Sequence, residues 1–130
     1  MTEPNKIKFQ KKQKTKRDNR PWGFFEIISS GVGFQVKRIS VKPKSRLSLQ
    51  WHRHRDETLV IARGIAGITL HDKTNINNFG RGQSIHIPRT TIHRIENISE
   101  IEILDIIEIQ TGDYLGEDDI ERLEDDYGRI

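Results

Sequence analysis

The fold turns on residues 46–57, Arg46-Leu47-Ser48-Leu49-Gln50-Trp51-His52-Arg53-His54-Arg55-Asp56-Glu57. Read as a strand, this stretch puts Arg46, Ser48, Gln50, His52 and His54 on one face and Leu47, Leu49 and Trp51 on the other. A face of Arg, Ser, Gln and two His is not an ordinary hydrophobic inner wall. It either meets solvent or lines a polar cavity.

Outward from this stretch the chain is rich in isoleucine and broken at short intervals by turn residues, a pattern that favours pleated, half-buried strands. Strands are expected at 23–29, 34–41, 45–54, 57–62, 65–70, 83–87, 93–97 and 102–110. Gly31-Val32-Gly33, Lys42-Pro43-Lys44, Arg63-Gly64, His71-Asp72-Lys73, Gly80-Arg81-Gly82 and Pro88 supply the breaks. Many short strands at this spacing predict an all-β antiparallel sandwich or barrel. Only the end reads as helix. In Glu117–Tyr127, Ile120, Leu123 and Tyr127 fall at i, i+3 and i+7 behind an acidic first turn, with Gly128 as C-cap.

The 130 residues suit one domain, with 33% hydrophobic and 32% charged residues. Charge is unevenly spread. Residues 1–20 hold eight Lys/Arg against two Asp/Glu, whereas residues 113–130 hold two against eight. The expected organisation is a basic, disordered arm over 1–19, a barrel over 20–112, and an acidic helical tail over 113–130 packing on the barrel or a partner subunit. Basic arms can bind phosphates of nucleic acid, but no aromatic or Gly-rich RNA-binding signature accompanies this one, so it reads as a solvated tail. No apolar run approaches the roughly 20 residues that span a bilayer, and no signal peptide is evident, so a cytoplasmic, non-membrane protein is expected. The absence of Cys removes disulfides, thiolate ligands and cysteine nucleophiles, so any metal here is held by nitrogen and oxygen.

The histidines sharpen this reading. Lys44, Gln50, His52, Glu57 and Gly64 resemble the first cupin motif, G-x5-H-x-H-x3,4-E-x6-G, with Lys44 for the first Gly and Gln50 for the first His. Gly82, Pro88, His93 and Asn97 fit the second, G-x5-P-x-G-x2-H-x3-N, with Thr90 where a Gly is usual. Both Gly replacements fall at turn positions. The resemblance implies an antiparallel jelly-roll β-barrel and one divalent metal held by Gln50, His52, Glu57 and His93. Zn²⁺ is favoured, and Mn²⁺, Co²⁺ or Fe²⁺ also suit the donors. The plainer reading of one isolated His is a surface or hydrogen-bonded residue; two at this spacing point to ligation.

Gln50 narrows the resemblance. Arg20-Pro21-Trp22-Gly23, Val36-Lys37-Arg38-Ile39, Arg46-Leu47-Ser48-Leu49-Gln50, His52-Arg53-His54-Arg55, His93-Arg94-Ile95-Glu96-Asn97 and the tail from Gly112 are similar to the C-terminal isomerase domain of type II phosphomannose isomerases. That family is often fused to a mannose-1-phosphate guanylyltransferase. These 130 residues hold neither that half nor a Gly-rich nucleotide loop, so guanylyltransferase activity is not expected. The resemblance implies metal-dependent interconversion of mannose 6-phosphate and fructose 6-phosphate through an enediolate. It also implies a role for Arg55, whose fixed charge would stabilise the enediolate or hold phosphate. His54 is open between extra ligand, general base and support for a ligand, with base preferred because imidazole titrates near working pH. Arg46 is a phosphate candidate, as is one of Lys37 and Arg38, which point to opposite faces. A homodimer is expected. A non-catalytic cupin that binds metal or sugar phosphate, or another sugar isomerase or epimerase, is the alternative, since one fold serves many functions.

Overall fold

Strands form in each expected stretch, with 45–54 reduced to Leu49–Trp51 and with Arg17–Arg20 and Ile76–Phe79 added, and they close the chain into two facing antiparallel sheets. The computed structural model describes residues 16–130. The strands are β1 (Arg17–Arg20), β2 (Gly23–Gly31), β3 (Phe34–Val41), β4 (Leu49–Trp51), β5 (Arg55–Arg63), β6 (Ala66–Leu70), β7 (Ile76–Phe79), β8 (Ser84–Ile87), β9 (His93–Asn97), β10 (Leu104–Gly112) and β11 (Glu121–Glu124). One sheet has the order β1-β2-β3-β10-β5-β8 and the other β11-β4-β9-β6-β7. The core lies between them and includes Trp22, Phe25, Ile39, Val41, Leu59, Ile61, Ile68, Ile95 and Ile106. No helix among the described residues is long and apolar enough to cross a membrane.

The inner faces change character along the strands. On β5 the buried positions run Ile61, Leu59, Glu57, Arg55. On β10 they run Leu104, Ile106, Glu108, Gln110, and on β3 they run Val41, Ile39, Lys37. In the β5–β10 ladder Ile61 faces Ile106, Leu59 faces Glu108 and Glu57 faces Gln110, so the polar ends coincide. The interior is therefore aliphatic at one end and ionisable at the other. Burying the ionisable end is costly unless its groups are paired or hold a bound ion.

Two sequence expectations change. The acidic tail is not a helix: residues 117–118 turn, and β11 then adds to β4 at the edge of its sheet. The helical stripe fails because Leu123 is 47% exposed, while Arg122 and Glu124 turn inward with a period of two. An unpaired edge of β4 offers a ladder that a short solitary helix cannot match. Charge fastens the strand. Arg46 grips Asp126 at 2.7 and 3.0 Å, Arg94 reaches Glu124 at 3.3 Å, and Lys73 pairs with Glu124. The expected arm also changes at its end: residues 1–15 lie outside the described residues, but Arg17–Arg20 form β1 instead of a free tail. Arg17 stacks 4.1 Å from the Phe24 ring centroid and pairs with Glu26 at 2.9 Å, cross-strand partners that composition alone does not reveal.

Lys44 and Thr90, the two residues standing where the motifs usually carry Gly, both adopt left-handed backbone, with φ of 59° and 67°. Glycine reaches this region without a Cβ penalty, whereas a β-branched residue does not. Thr90→Gly is therefore expected to stabilise the fold by about 1 kcal/mol, the relief of left-handed strain less the extra chain entropy of Gly. Urea denaturation of the two proteins checks this, and an unchanged or lower midpoint contradicts it.

Candidate metal centre

At the polar end of the interior, three side chains from three strand regions converge. His52 follows β4, Glu57 lies on β5 and His93 opens β9; each is only 2% exposed. One ligand atom from each lies within 4.8 Å of the others. Glu57 Oε1 is 3.0 Å from His93 Nε2 and 3.4 Å from His52 Nε2.

The orientation of the rings decides what this cluster can hold. His52 Nδ1 lies 2.6 Å from the Asp119 carbonyl and His93 Nδ1 lies 2.9 Å from the Thr91 carbonyl. A carbonyl only accepts, so both Nδ1 atoms carry the proton and both Nε2 atoms turn lone pairs inward. His93 Nε2 is buried without a hydrogen-bond partner, and Glu57 Oε2 is buried with only the Arg55 ion pair beside it. Facing lone pairs and a carboxylate in a buried site favour a cation. Two imidazoles and one carboxylate match a divalent metal of the Zn²⁺ type, so the residues present fit the group that the sequence motifs imply.

Gln50 pairs in register with His93, and its amide lies 3.3 Å from His52 Nε2. Its Oε1 accepts from Ser48 Oγ at 2.6 Å; an amide flip exchanges the atom that faces the cluster. Arg55 is buried, with Nη2 3.2 Å from Glu57 Oε2 and 3.3 Å from His52 Nε2. Its Nε and Nη1 have no partner. Burial pushes the Glu57 carboxyl up; hydrogen bonds and charge from the two rings, once each also carries a proton on Nε2, outweigh it and lower the group well below the usual carboxylate range.

Gln50, Arg55 and Glu108 stand between the cluster and a cavity of about 410 Å³, which Lys37, Glu117, Arg122 and Arg129 also line. That volume lies in the range of small-molecule sites, roughly 300–1,000 Å³. Of the sequence candidates, Lys37 takes the inner face and pairs with Glu117. Arg38 takes the outer face, with Asp105 at 3.2 Å. Arg46 is committed to Asp126 and does not line the cavity. His54 is exposed, edge-on to Tyr114 at 6.0 Å, and stands apart from the cluster. Strand alternation fails there because the chain bends at Arg53–His54.

That bend introduces Asp119, which no motif in the sequence marks. Its carboxylate accepts from the Arg53 and His54 amides at 2.9 and 3.0 Å, while its carbonyl receives His52 Nδ1–H. Burial opposes the charge on Asp119, and these amides overcome it, lowering its pKa. Glu108 stands in no motif either, although a Glu in the inner row Leu104, Ile106, Glu108 is a visible anomaly. Burial, and then the charge of Glu57, pushes its carboxyl up to about 8. It accepts from Gln110 Nε2 at 2.5 Å.

Comparison with known proteins agrees with this geometry. The family described as mannose-6-phosphate isomerase C-terminal matches residues 8–125. The chain is 52% identical over 110 residues to the alginate biosynthesis protein AlgA of Pseudomonas aeruginosa, a match covering 85% of this chain and 22% of that protein. It is 45% identical over 111 residues to the mannose-1-phosphate guanylyltransferase ManC of Salmonella typhimurium, with the same two coverages. The chain thus spans about a fifth of the length of these curated relatives. Among solved structures, oxalate decarboxylase from Bacillus subtilis gives a TM-score of 0.74 at 18% identity, over 85% of this chain and 30% of that one. KdgF from Halomonas gives 0.65 at 13% identity, over 73% and 84%. These two likenesses establish the cupin fold.

His93→Ala is expected to abolish metal retention after dialysis, read by elemental analysis. Asp119→Ala, which frees the bend behind His52, is expected to weaken metal affinity by roughly 10- to 100-fold in a chelator competition. Full metal retention by the His93 variant contradicts the assignment of the centre.

Proposed function

The chain belongs to the mannose-6-phosphate isomerase C-terminal family, and from that premise we propose that it interconverts mannose 6-phosphate and fructose 6-phosphate. The reading is carried by one observation: a buried His–Glu–His cluster beside a cavity lined by Arg55, whose Nε and Nη1 are buried without hydrogen-bond partners. The reaction moves a proton between C1 and C2 and changes no oxidation state overall. It needs positive charge on the two oxygens, a group to carry the proton and a cation for the phosphate.

A divalent metal, proposed to be Zn²⁺ held by His52, Glu57, His93 and Gln50, supplies Lewis acidity toward the sugar oxygens when bound. Arg55 adds fixed positive charge beside Glu57 and His52. Its Nη2 is anchored between Glu57 and His52, which leaves Nε and Nη1 to donate to the oxygen that gains charge as the enediolate forms. The buried setting strengthens these donations because water does not compete for them. His54, the base preferred on sequence, does not reach this cavity. Glu108 lines it beside Arg55 and is the carboxyl we assign to carry the proton between the carbons. Of the other two cavity acids, Glu117 is paired with Lys37 and Asp118 accepts from the Tyr114 hydroxyl.

Metal-replete protein incubated with fructose 6-phosphate in D₂O is expected to form mannose 6-phosphate, followed by NMR together with deuterium uptake from solvent. Neither product nor exchange, with metal demonstrably bound, sinks the isomerase reading in favour of a binding module. Arg55→Ala and Glu108→Gln are each expected to lower kcat by roughly 100-fold or more with metal content unchanged.

A further inference from the structure

The cavity carries more positive charge than its own carboxylates neutralise, and the surplus has a location. Lys37 is matched by Glu117, and Arg55 by Glu57 at 3.2 Å. Arg129 is matched by Asp125, with Nε–Oδ2 2.8 Å and Nη2–Oδ1 2.7 Å. Arg122 is the exception. Its Nε is fully buried without a hydrogen-bond partner, and it forms no ion pair among the described residues. Leaving such a donor unmet costs stability, so an unpartnered guanidinium in a cavity wall signals a ligand that completes it.

Burial lowers the pKa of Arg122, and the like charges of Arg129 and Arg20 add to it against the opposing pull of Asp125 and Glu117, neither of which reaches ion-pair distance. Arg20 comes from the end of β1, Arg122 from β11 and Arg129 from the segment after it; all three line the cavity. Arg129 is held in place because Asp125 also accepts from its backbone amide at 2.7 Å. Arg20 lies 5.2 Å from the Phe25 ring centroid, and its carboxylate neighbour Asp18 is 3.4 Å away at the exposed surface. A pair in that setting contributes little and leaves the guanidinium available.

We infer that Arg122, flanked by Arg20 and Arg129, forms a dianion site that takes the phosphate group of a phosphate monoester. Guanidinium forks match phosphate oxygens in both geometry and charge. The site also lies at a useful separation from the metal cluster. His93 on β9 is in register with Gln50 on β4, and Gln50 with Arg122 on β11, so the three form one row across the sheet. Two strand spacings put Arg122 about 10 Å from His93, the reach of an open six-carbon sugar from its carbonyl end to a terminal phosphate. As the phosphate end of the substrate, the site rests on the isomerase reading; as an anion site, it stands on Arg122 alone.

The test uses the full chain, metal-replete, with inorganic phosphate and fructose 6-phosphate as probes. Adding phosphate is expected to shift the Arg122 Nε–Hε signal in ¹⁵N NMR and to inhibit turnover of fructose 6-phosphate competitively. Arg122→Gln is expected to weaken phosphate binding in calorimetry by on the order of tenfold or more, and to raise KM for fructose 6-phosphate by more than it lowers kcat. Arg122→Lys, which keeps the charge and loses the fork, should fall between the two proteins. Turnover with an unmoved Arg122 signal, or with wild-type KM and phosphate inhibition in Arg122→Gln, overturns the site and leaves the isomerase reading intact. Phosphate binding that depends on Arg122 without turnover upholds the site and removes the isomerase reading.

Discussion

Asp119 joins the C-terminal segment to the metal centre with both its side chain and its peptide. The carboxylate closes the Arg53–His54 bend, and the carbonyl sets the proton on His52 Nδ1 so that Nε2 faces the cluster. Without that bend the strand alternation would continue, and His54, not Arg55, would follow His52 inward. The tail is therefore part of the centre. It also brings Arg122 to the cavity wall and Glu117 to Lys37. The same segment thus orients a metal ligand, opens the ladder beside Gln50 and carries charge into the cavity.

The second organising fact is the gradient inside the barrel. Aliphatic side chains fill one end of β3, β5 and β10, and Lys37, Arg55, Glu57, Glu108 and Gln110 fill the other. The aliphatic end keeps the two sheets together, which lets the polar end stay unfilled and partly unsatisfied. His93 Nε2 and Arg55 Nε and Nη1 are buried without hydrogen-bond partners, and Glu57 Oε2 meets only Arg55. Such groups are expensive in a core, and their clustering marks the region that function shapes.

The barrel was legible because strand alternation and turn residues are local signals; β3 and β9 coincide with the ranges read from sequence. The meeting of His52, Glu57 and His93 was legible because side chains that converge from adjacent strands impose a spacing on the chain. The departures at Lys44 and Thr90 were legible as turns, and the left-handed backbone at both explains why the motif favours Gly there. The tail was misread, since Ile120, Leu123 and Tyr127 carry a helical period that the open edge of β4 overrides. That strand also answers the uneven charge along the chain: acidic Glu124 and Asp126 dock on Lys73, Arg94 and Arg46 of the barrel.

Sequence alone thus determined the barrel, the His–Glu–His cluster and the exclusion of thiolate ligands, because each depends on residues near one another in the chain or on residue type. Only the tertiary structure decided which cations serve the cavity. Arg46 and Arg38 are consumed by Asp126 and Asp105, whereas Arg122 arrives from the far end of the chain and forms no ion pair among the described residues. The physical reason is that a charge is free or spent according to what folds against it, and that partner can lie 80 residues away, as Asp126 does from Arg46.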